Sequence, residues 1–336
     1  MPRLTLDVRV ESLRLSAPFR IASRTFDSAD VLVVTLSDGG LAGRGEASGV
    51  YYTGDDVAQM LHHVERARDA VEAGVTRDEL RTLLPPGGAR NAIDAALWDL
   101  EAASDDCPVW ALAGQDVPRP LLTTFTLGAD TPEAMAAGAK RYDHARAIKV
   151  KLTGDLALDI ARVTAIRAAR PDVWLGVDAN QGFVIGDLDA LVAAMQKVDV
   201  SLIEQPLARG READLDGYVS PIPIAADESV LSLDDVAGAV GRFDVINIKL
   251  DKCGGLTEAL LMAAEARRIG LGVMVGNMIG TSLAMAPAFV LGQICDLVDL
   301  DGPIFLRADR QPGMKYRDGT VWCPETVWGR GVPALA

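Results

Sequence analysis

Cysteine and histidine are scarce in this chain of 336 residues, and their scarcity removes several kinds of chemistry. The four cysteines, Cys107, Cys253, Cys295 and Cys323, are far apart and form no C-x-x-C pair. That pattern suits free thiols in a reducing compartment such as the cytoplasm rather than a disulfide framework. The three histidines (the adjacent His62 and His63, and His144) show no metal-ligand spacing. A metal, if bound, must then be held by carboxylates. Positive charge is also short: 33 Lys and Arg against 47 Asp and Glu leave a formal net charge of −14. Nucleic acid and anionic membranes are poor partners for such a field, and an anionic substrate needs local cations to oppose it. The N-terminus, Met1 to Val10, alternates like a strand and lacks the apolar core of a signal peptide. One long stretch, 269–295, carries no charge, but glycines, Asn277, Thr281, Ser282, Pro287 and Gln293 interrupt it. It reads as a buried strand, a polar loop and a buried helix rather than as a membrane span.

What is present falls into two rhythms. Residues 3–15 and 31–47 alternate as strands, with a hairpin turn at Ser37-Asp38-Gly39-Gly40. Between them, 16–30 reads as a polar loop with Arg20 and Arg24, and a second loop, 48–54, carries Tyr51 and Tyr52. Helical periodicity follows over 55–73, 76–84 and 88–103, where Ile93, Ala96, Leu97 and Leu100 form one stripe. Strands first and helices afterwards predict an α+β unit over 1–114, and Pro118 and Pro120 mark a boundary. From Leu121 a regular beat begins. Apolar or β-branched runs at 121–127, 146–152, 173–178, 200–205, 222–227, 244–250, 272–277 and 296–301 alternate with amphipathic helical segments. Eight such units predict an α/β fold, a parallel (β/α)8 TIM-type barrel over 115–305. A doubly wound sheet competes less well, because no glycine-rich phosphate loop follows the first strand. The tail, 306–336, is expected to pack back on the N-terminal unit.

The chemistry lies where the runs end. In Ala147-Ile-Lys-Val-Lys-Leu152, Lys149 and Lys151 fall on one face of a strand, an awkward pair of like charges. Three later runs each close on a carboxylate: Val-Asp178-Ala-Asn, Ile-Glu204-Gln-Pro and Ala-Asp227-Glu-Ser. A lone Asp after a strand is commonly a helix cap. Three in consecutive units would instead lie side by side on the barrel rim, where hard oxygen ligands suit a divalent cation, above all Mg²⁺. Asn247-Ile-Lys249 ends the next run, so Lys249 faces the K-x-K across the mouth, or else makes a salt bridge to Asp227. An α-proton beside a carboxylate is weakly acidic, and its loss puts two negative charges on one group, which a chelated metal disperses. Lysine, with a pKa of about 10.4, is a poor base at neutral pH. A neighbouring ammonium and a nearby dication disfavour the protonated form, a physical reason for two lysines to sit together. One lysine on each face of a planar intermediate predicts a 1,1-proton transfer.

The ordered set K-x-K, D-x-N, E-Q-P, A-D-E-S and N-I-K behind an α+β unit resembles the enolase superfamily, in its muconate-lactonizing subgroup. Asn247 to Leu260, Asp299-Leu-Asp-Gly-Pro303 and Gly88 to Leu100 are similar to the dipeptide epimerases, especially those acting on L-Ala-D/L-Glu. The resemblance covers nearly the whole chain. It implies a (β/α)7β barrel with a capping domain completed by the tail, and a Lys base working beside Mg²⁺, one ion per subunit. It also implies Asp178, Glu204 and Asp227 as metal ligands, Lys151 and Lys249 as the acid/base pair, and Lys149 on the substrate carboxylate. Asp299 and Asp301 occupy the D-x-D that receives the substrate's ammonium, and Thr126 and Asn277 match substrate-contacting positions. Arg24 resembles an arginine that reads an acidic side chain, although Arg20 fits by spacing equally well. The expected partner is a small dipeptide. Epimerisation of another dipeptide, N-acylamino acid racemisation, o-succinylbenzoate synthesis and cycloisomerisation remain open on the same scaffold. A metal-binding protein without catalysis also remains open, as does assembly into a homo-oligomer.

Overall fold

Two antiparallel strands, β1 (Thr5–Arg20) and β2 (Thr25–Ser37), open the structure, a computed structural model that describes residues 3–20 and 25–333. The turn to β3 (Leu41–Ser48) forms because Asp38 Oδ1 accepts from the N–H of Gly40 and Leu41, at 2.9 and 2.8 Å. Leu32, Val34 and Leu36 are buried beneath the helices Val57–Glu72, Arg77–Leu83 and Gly88–Ser104, whereas Val31 and Val33 join the core shared with the later strands. The last of these lies almost on the backbone of β3. A Cβ on Gly43 would stand 2.1 Å from the Ala96 carbonyl oxygen, and one on Gly45 2.0 Å from that of Ala92. The Gly-Arg-Gly spacing of β3 is therefore a packing requirement.

One expectation fails here. The loop predicted over 16–30 is strand in its described residues, with Phe19 paired to Phe26 and Arg20 to Thr25 after a register shift beyond Arg14. A two-stranded ribbon that projects from its sheet buries neither face along its length, so the apolar alternation that marks a strand disappears. Arg24 lies outside the described residues. Arg20 is exposed near the end of the ribbon.

After the short helix Val109–Leu112 and strand β4 (Leu121–Leu122), eight parallel strands follow in sequence order. They are β5 (Phe125–Leu127), β6 (Ala147–Lys151), β7 (Trp174–Asp178), β8 (Leu202–Glu204), β9 (Ile224–Ala226), β10 (Val245–Lys249), β11 (Gly272–Gly276) and β12 (Leu297–Val298). Each predicted apolar run contains one of them. The sheet curls until the N–H of Thr124, before β5, donates to the Val298 carbonyl on β12 at 3.0 Å. Long helices follow β5, β6, β7, β10 and β11, whereas β8 is followed by a 3₁₀ turn, Glu212–Leu215, and β9 by the four-residue helix Leu233–Val236. After β12 comes the 3₁₀ turn Gly302–Phe305, and among the described residues no helix follows it. The charge-free stretch is β11, a polar loop and the fully buried helix Ser282–Gly292. No helix among the described residues is long and apolar enough to cross a membrane.

Beyond the barrel strands, β13 (Lys315–Arg317) pairs with β14 (Thr320–Trp322), which pairs with β4. The last described strand, β15 (Val332–Pro333), pairs antiparallel with Leu41 and Ala42 of β3.

Candidate active site

Register decides which side chains meet. Lys151 on β6 stands opposite Asp178 on β7, which stands opposite Glu204 on β8. The three therefore share one level at the C-terminal ends of the strands, and alternation puts Lys149 on the same face as Lys151. Lys149 Nζ lies 3.2 Å from Asp178 Oδ2, 2.8 Å from Glu204 Oε2 and 2.9 Å from Asp299 Oδ2. Lys151 Nζ donates to Asp178 Oδ2 at 2.5 Å. On the far side, Lys249 Nζ donates to Asp227 Oδ2 at 2.7 Å, so the salt bridge weighed for it from sequence is formed.

Burial penalises every one of these charges, and the pairing decides the outcome. It works to raise the carboxyl of Asp178, but Lys151 and Lys149 outweigh it and hold the group at about 2. Asp227 is likewise held below the usual carboxylate range, by Lys249 and Lys252 against its burial. Glu204, buried and beside Asp178, is pushed up to about 7. Burial favours a neutral Lys149, yet Asp299, Glu204 and Asp178 keep it protonated well above its ordinary value. Three carboxylates surround Lys149 and outweigh the cost of burying its charge.

One carboxylate oxygen from each of Asp178, Glu204 and Asp227 lies within 4.8 Å of the other two. Glu204 Oε2 is close to Lys149 but receives no aligned hydrogen bond, leaving a buried acceptor with spare capacity. Three hard oxygens, one of them unsatisfied, fit a hard divalent cation.

A cavity of about 490 Å³ opens above this level, walled by Lys151, Asp227, Glu228, Lys249 and Asn277 from the barrel and by Phe19, Tyr51 and Tyr52 from the capping side. Lys149, Asp299 and Asp301 are buried next to this level and are not part of the cavity lining. Asp299 Oδ1 accepts from Thr124 Oγ1 at 2.5 Å, and its main-chain carbonyl accepts from Asn277 Nδ2 at 2.5 Å. Asp301 Oδ2 accepts the N–H of Thr126 at 2.6 Å. Burial, then the charge of Asp299, pushes Asp301 up to about 7. Thr126 is buried and meets Asp301 through its side chain as well as this backbone bond, while it borders a separate cavity of about 400 Å³ with Arg20 and Arg141.

Other residues of the site have no role assignable from sequence. Lys252 is buried, with Nζ bonded to Asp227 Oδ1 (2.7 Å), to the Asp227 carbonyl (2.5 Å) and to the Asn247 carbonyl (2.9 Å). Gln205 Oε1 accepts the N–H groups of Asp227 and Ser229, at 2.9 and 3.1 Å. Asn247 Nδ2 donates to Glu204 Oε1 at 2.9 Å. Gln205 and Asn247 stand inside the E-Q-P and N-I-K motifs and Lys252 follows Lys249 by three residues, which is the signal the sequence carried.

Residues 4–114 match the mandelate racemase / muconate lactonizing enzyme N-terminal domain, and residues 133–333 match the enolase C-terminal domain-like family. The chain is 38% identical to an L-Ala-D/L-Glu epimerase of Escherichia coli over 317 residues, 94% of this chain and 99% of the relative. It is 43% identical over 252 residues to an N-acetyl-D-glutamate racemase of a Pseudoalteromonas species, covering 75% of this chain and 79% of the relative. Among solved structures, an enolase family member from Agrobacterium tumefaciens with homology to dipeptide epimerases superposes with a TM-score of 0.94 at 40% identity. That match covers 97% of this chain and 100% of the other, which holds bound sodium and L-Ala-L-Glu. Strand-end carboxylates flanked by opposed lysines, two family models spanning the chain and relatives aligned nearly end to end agree: the chain belongs to the mandelate racemase / muconate lactonizing enzyme family of the enolase superfamily.

Proposed function

We propose that the protein is a Mg²⁺-dependent dipeptide epimerase that inverts the α-carbon of the C-terminal residue, converting L-Ala-D-Glu and L-Ala-L-Glu into one another. The observation that carries this reading is that Lys151 and Lys249, on the second and sixth barrel strands, line one cavity, and that Asp178, Glu204 and Asp227 cluster at the ends of the strands between them. In this reading the three carboxylates hold one Mg²⁺ per subunit. A bound dication supplies charge stabilisation at the substrate carboxylate. Lys149, kept cationic by its surroundings, grips the same carboxylate. Lys151 and Lys249 address opposite faces of the α-carbon: one takes the proton and the other returns one to the opposite face. Asp299 and Asp301 receive the ammonium of the N-terminal residue, whose charge relieves the crowding that makes Asp301 hard to ionise. Arg24 or Arg20 reads the glutamate side chain. The setting would be cytoplasmic turnover of cell-wall peptides.

N-acylamino acid racemisation is the second reading, favoured by the 43% identity to the Pseudoalteromonas racemase. Both reactions share the α-proton chemistry and differ at the amino end, which carries an ammonium in one substrate and a neutral acyl group in the other. A dipeptide library and N-acetylglutamate, incubated with enzyme and Mg²⁺ in D₂O, separate them by the +1 mass shift at the α-carbon. Uptake into L-Ala-Glu above all others supports the first reading. Uptake into N-acetylglutamate alone supports the second, and uptake into neither rejects both.

A further inference from the structure

One wall of the cavity is a loop that the capping sheet holds. Asn277, Met278 and Ile279, after β11, line the cavity. At one end of this loop Asn277 is bonded to the Asp299 carbonyl. At the other, Thr281 presents its N–H to Glu46 Oε1 at 2.7 Å and its hydroxyl to Glu46 Oε2 at 2.6 Å. Glu46 lies on β3 and is 1% exposed. Arg310 completes the arrangement: its Nε donates to Glu46 Oε2 and to Thr281 Oγ1, both at 2.9 Å, and its Nη2 donates to Glu46 Oε2 and to Glu11 Oε2 on β1.

Capping the helix Ser282–Gly292 does not explain this. Thr281 Oγ1 already accepts the Leu283 N–H at 3.2 Å, as a cap residue should, without any help from Glu46. A buried carboxylate with four charged or polar donors is costly to assemble and resists displacement, so it serves as a fixed point. The loop's other end is equally confined, since a Cβ on Gly302 would lie 2.5 Å from Asn277 Oδ1. Pinned at Thr281 by the capping sheet and at Asn277 against Asp299–Gly302, the loop has little freedom of its own.

We propose that Glu46 is a positioning residue for the amino end of the substrate, acting through the loop 277–281 on Asn277 and thence on Asp299. The proposal rests on the reading that Asp299 and Asp301 receive an ammonium. It makes the capping sheet a determinant of recognition through a side chain that touches no substrate. Neutralising Glu46 releases Thr281, and Asn277 loses its fixed approach to the Asp299 carbonyl. Lys151 and Lys249, tied to Asp178 and Asp227 by their own ion pairs, keep their places.

The test compares Glu46→Gln, Glu46→Asp and Thr281→Val with the wild-type enzyme on L-Ala-L-Glu and on N-acetylglutamate. It also follows amide hydrogen exchange of the segment 277–283 by mass spectrometry. Glu46→Gln is expected to raise KM for the dipeptide about tenfold with kcat changed less than about threefold, and to leave N-acetylglutamate nearly unaffected. Exchange in 277–283 should quicken, and Glu46→Asp should recover part of the loss. An unchanged KM, or equal losses on both substrates without faster exchange in 277–283, overturns the proposal. If Glu46→Gln does not fold, Thr281→Val makes the same comparison by removing the hydroxyl, and with it the bonds to Glu46, Leu283 and Arg310 while the Thr281 N–H keeps its bond to Glu46. A wild-type enzyme that leaves dipeptides untouched defeats the ammonium reading, and the amide exchange then still decides whether Glu46 holds the loop.

Discussion

Lys252 and Asp227 are joined twice, because the ammonium of Lys252 donates both to Oδ1 and to the main-chain carbonyl of the aspartate. Its third donor goes to the Asn247 carbonyl, so no proton is left to offer a substrate. Lys252 thus fixes which oxygen of Asp227 faces Lys249 and the carboxylate cluster. Removing it leaves Asp227 Oδ1, buried, without this donor, while Lys249 still holds Oδ2. Lys252→Met should cost on the order of 3 kcal/mol in stability and weaken cation binding about 10- to 100-fold. Urea unfolding and a Mn²⁺ titration followed by electron paramagnetic resonance measure the two effects. Unchanged Mn²⁺ affinity would sink the assignment.

The two opposed lysines predict a one-sided defect. Lys151→Ala and Lys249→Ala should each lower epimerisation by a factor of about 10² to 10⁴. Each variant should still exchange the α-proton of one epimer, and a different one in each case. Proton NMR of the separate epimers in D₂O reads this directly. Loss of exchange from both epimers in both variants would contradict a two-base arrangement.

Asp301 offers a cleaner probe of the amino end than Asp299, whose carboxylate is also paired with Lys149. Asp301→Asn keeps an oxygen for the Thr126 N–H and removes the charge. If an ammonium binds there, kcat/KM for L-Ala-L-Glu should fall about 10- to 100-fold, while N-acetylglutamate is little affected. Equal losses on the two substrates would count against an ammonium site.

Asp251 makes stability depend on pH. Burial raises its carboxyl from 3.8 to about 7, while hydrogen bonds from the N–H of Ser48 and from Asn91 oppose the rise. A carboxyl whose folded pKa exceeds its unfolded value stabilises fully below the unfolded value, and that contribution is lost as pH climbs through the folded one. The window is therefore about pH 4 to 7, and the penalty at pH 8 is at most roughly 4 kcal/mol. Asn can still accept from Ser48, so Asp251→Asn should raise Tm relative to wild type at pH 8 and gain little at pH 4.5. Calorimetry at the two pH values checks the sign.

The barrel and its chemistry were legible for a local reason. Strand period and strand-end position are both properties of a few adjacent residues, so Lys149-Val-Lys151 and the carboxylates closing three successive runs disclosed a face and a level before any tertiary contact was known. The ribbon strands at 16–20 and 25–30 were not legible, because a ribbon that buries neither face shows no apolar alternation. Neither were Lys252, Gln205 or Glu46. Their partners lie 25, 22 and 235 residues away, and polar side chains at such positions look like ordinary surface until the partner is seen.

By itself, the sequence determined the beat of eight strands, the opposed lysines and the carboxylate triad, because each follows from side-chain alternation and the spacing of β/α units. Only the tertiary structure decided that Lys149 stays protonated among three carboxylates, that Asp301 is anchored by the backbone of Thr126, and that a glutamate of the capping sheet holds a wall of the cavity. Those outcomes depend on burial and on hydrogen bonds between segments far apart in the chain, where the desolvation of a charge and the geometry of its partners, rather than its neighbours in sequence, set its state.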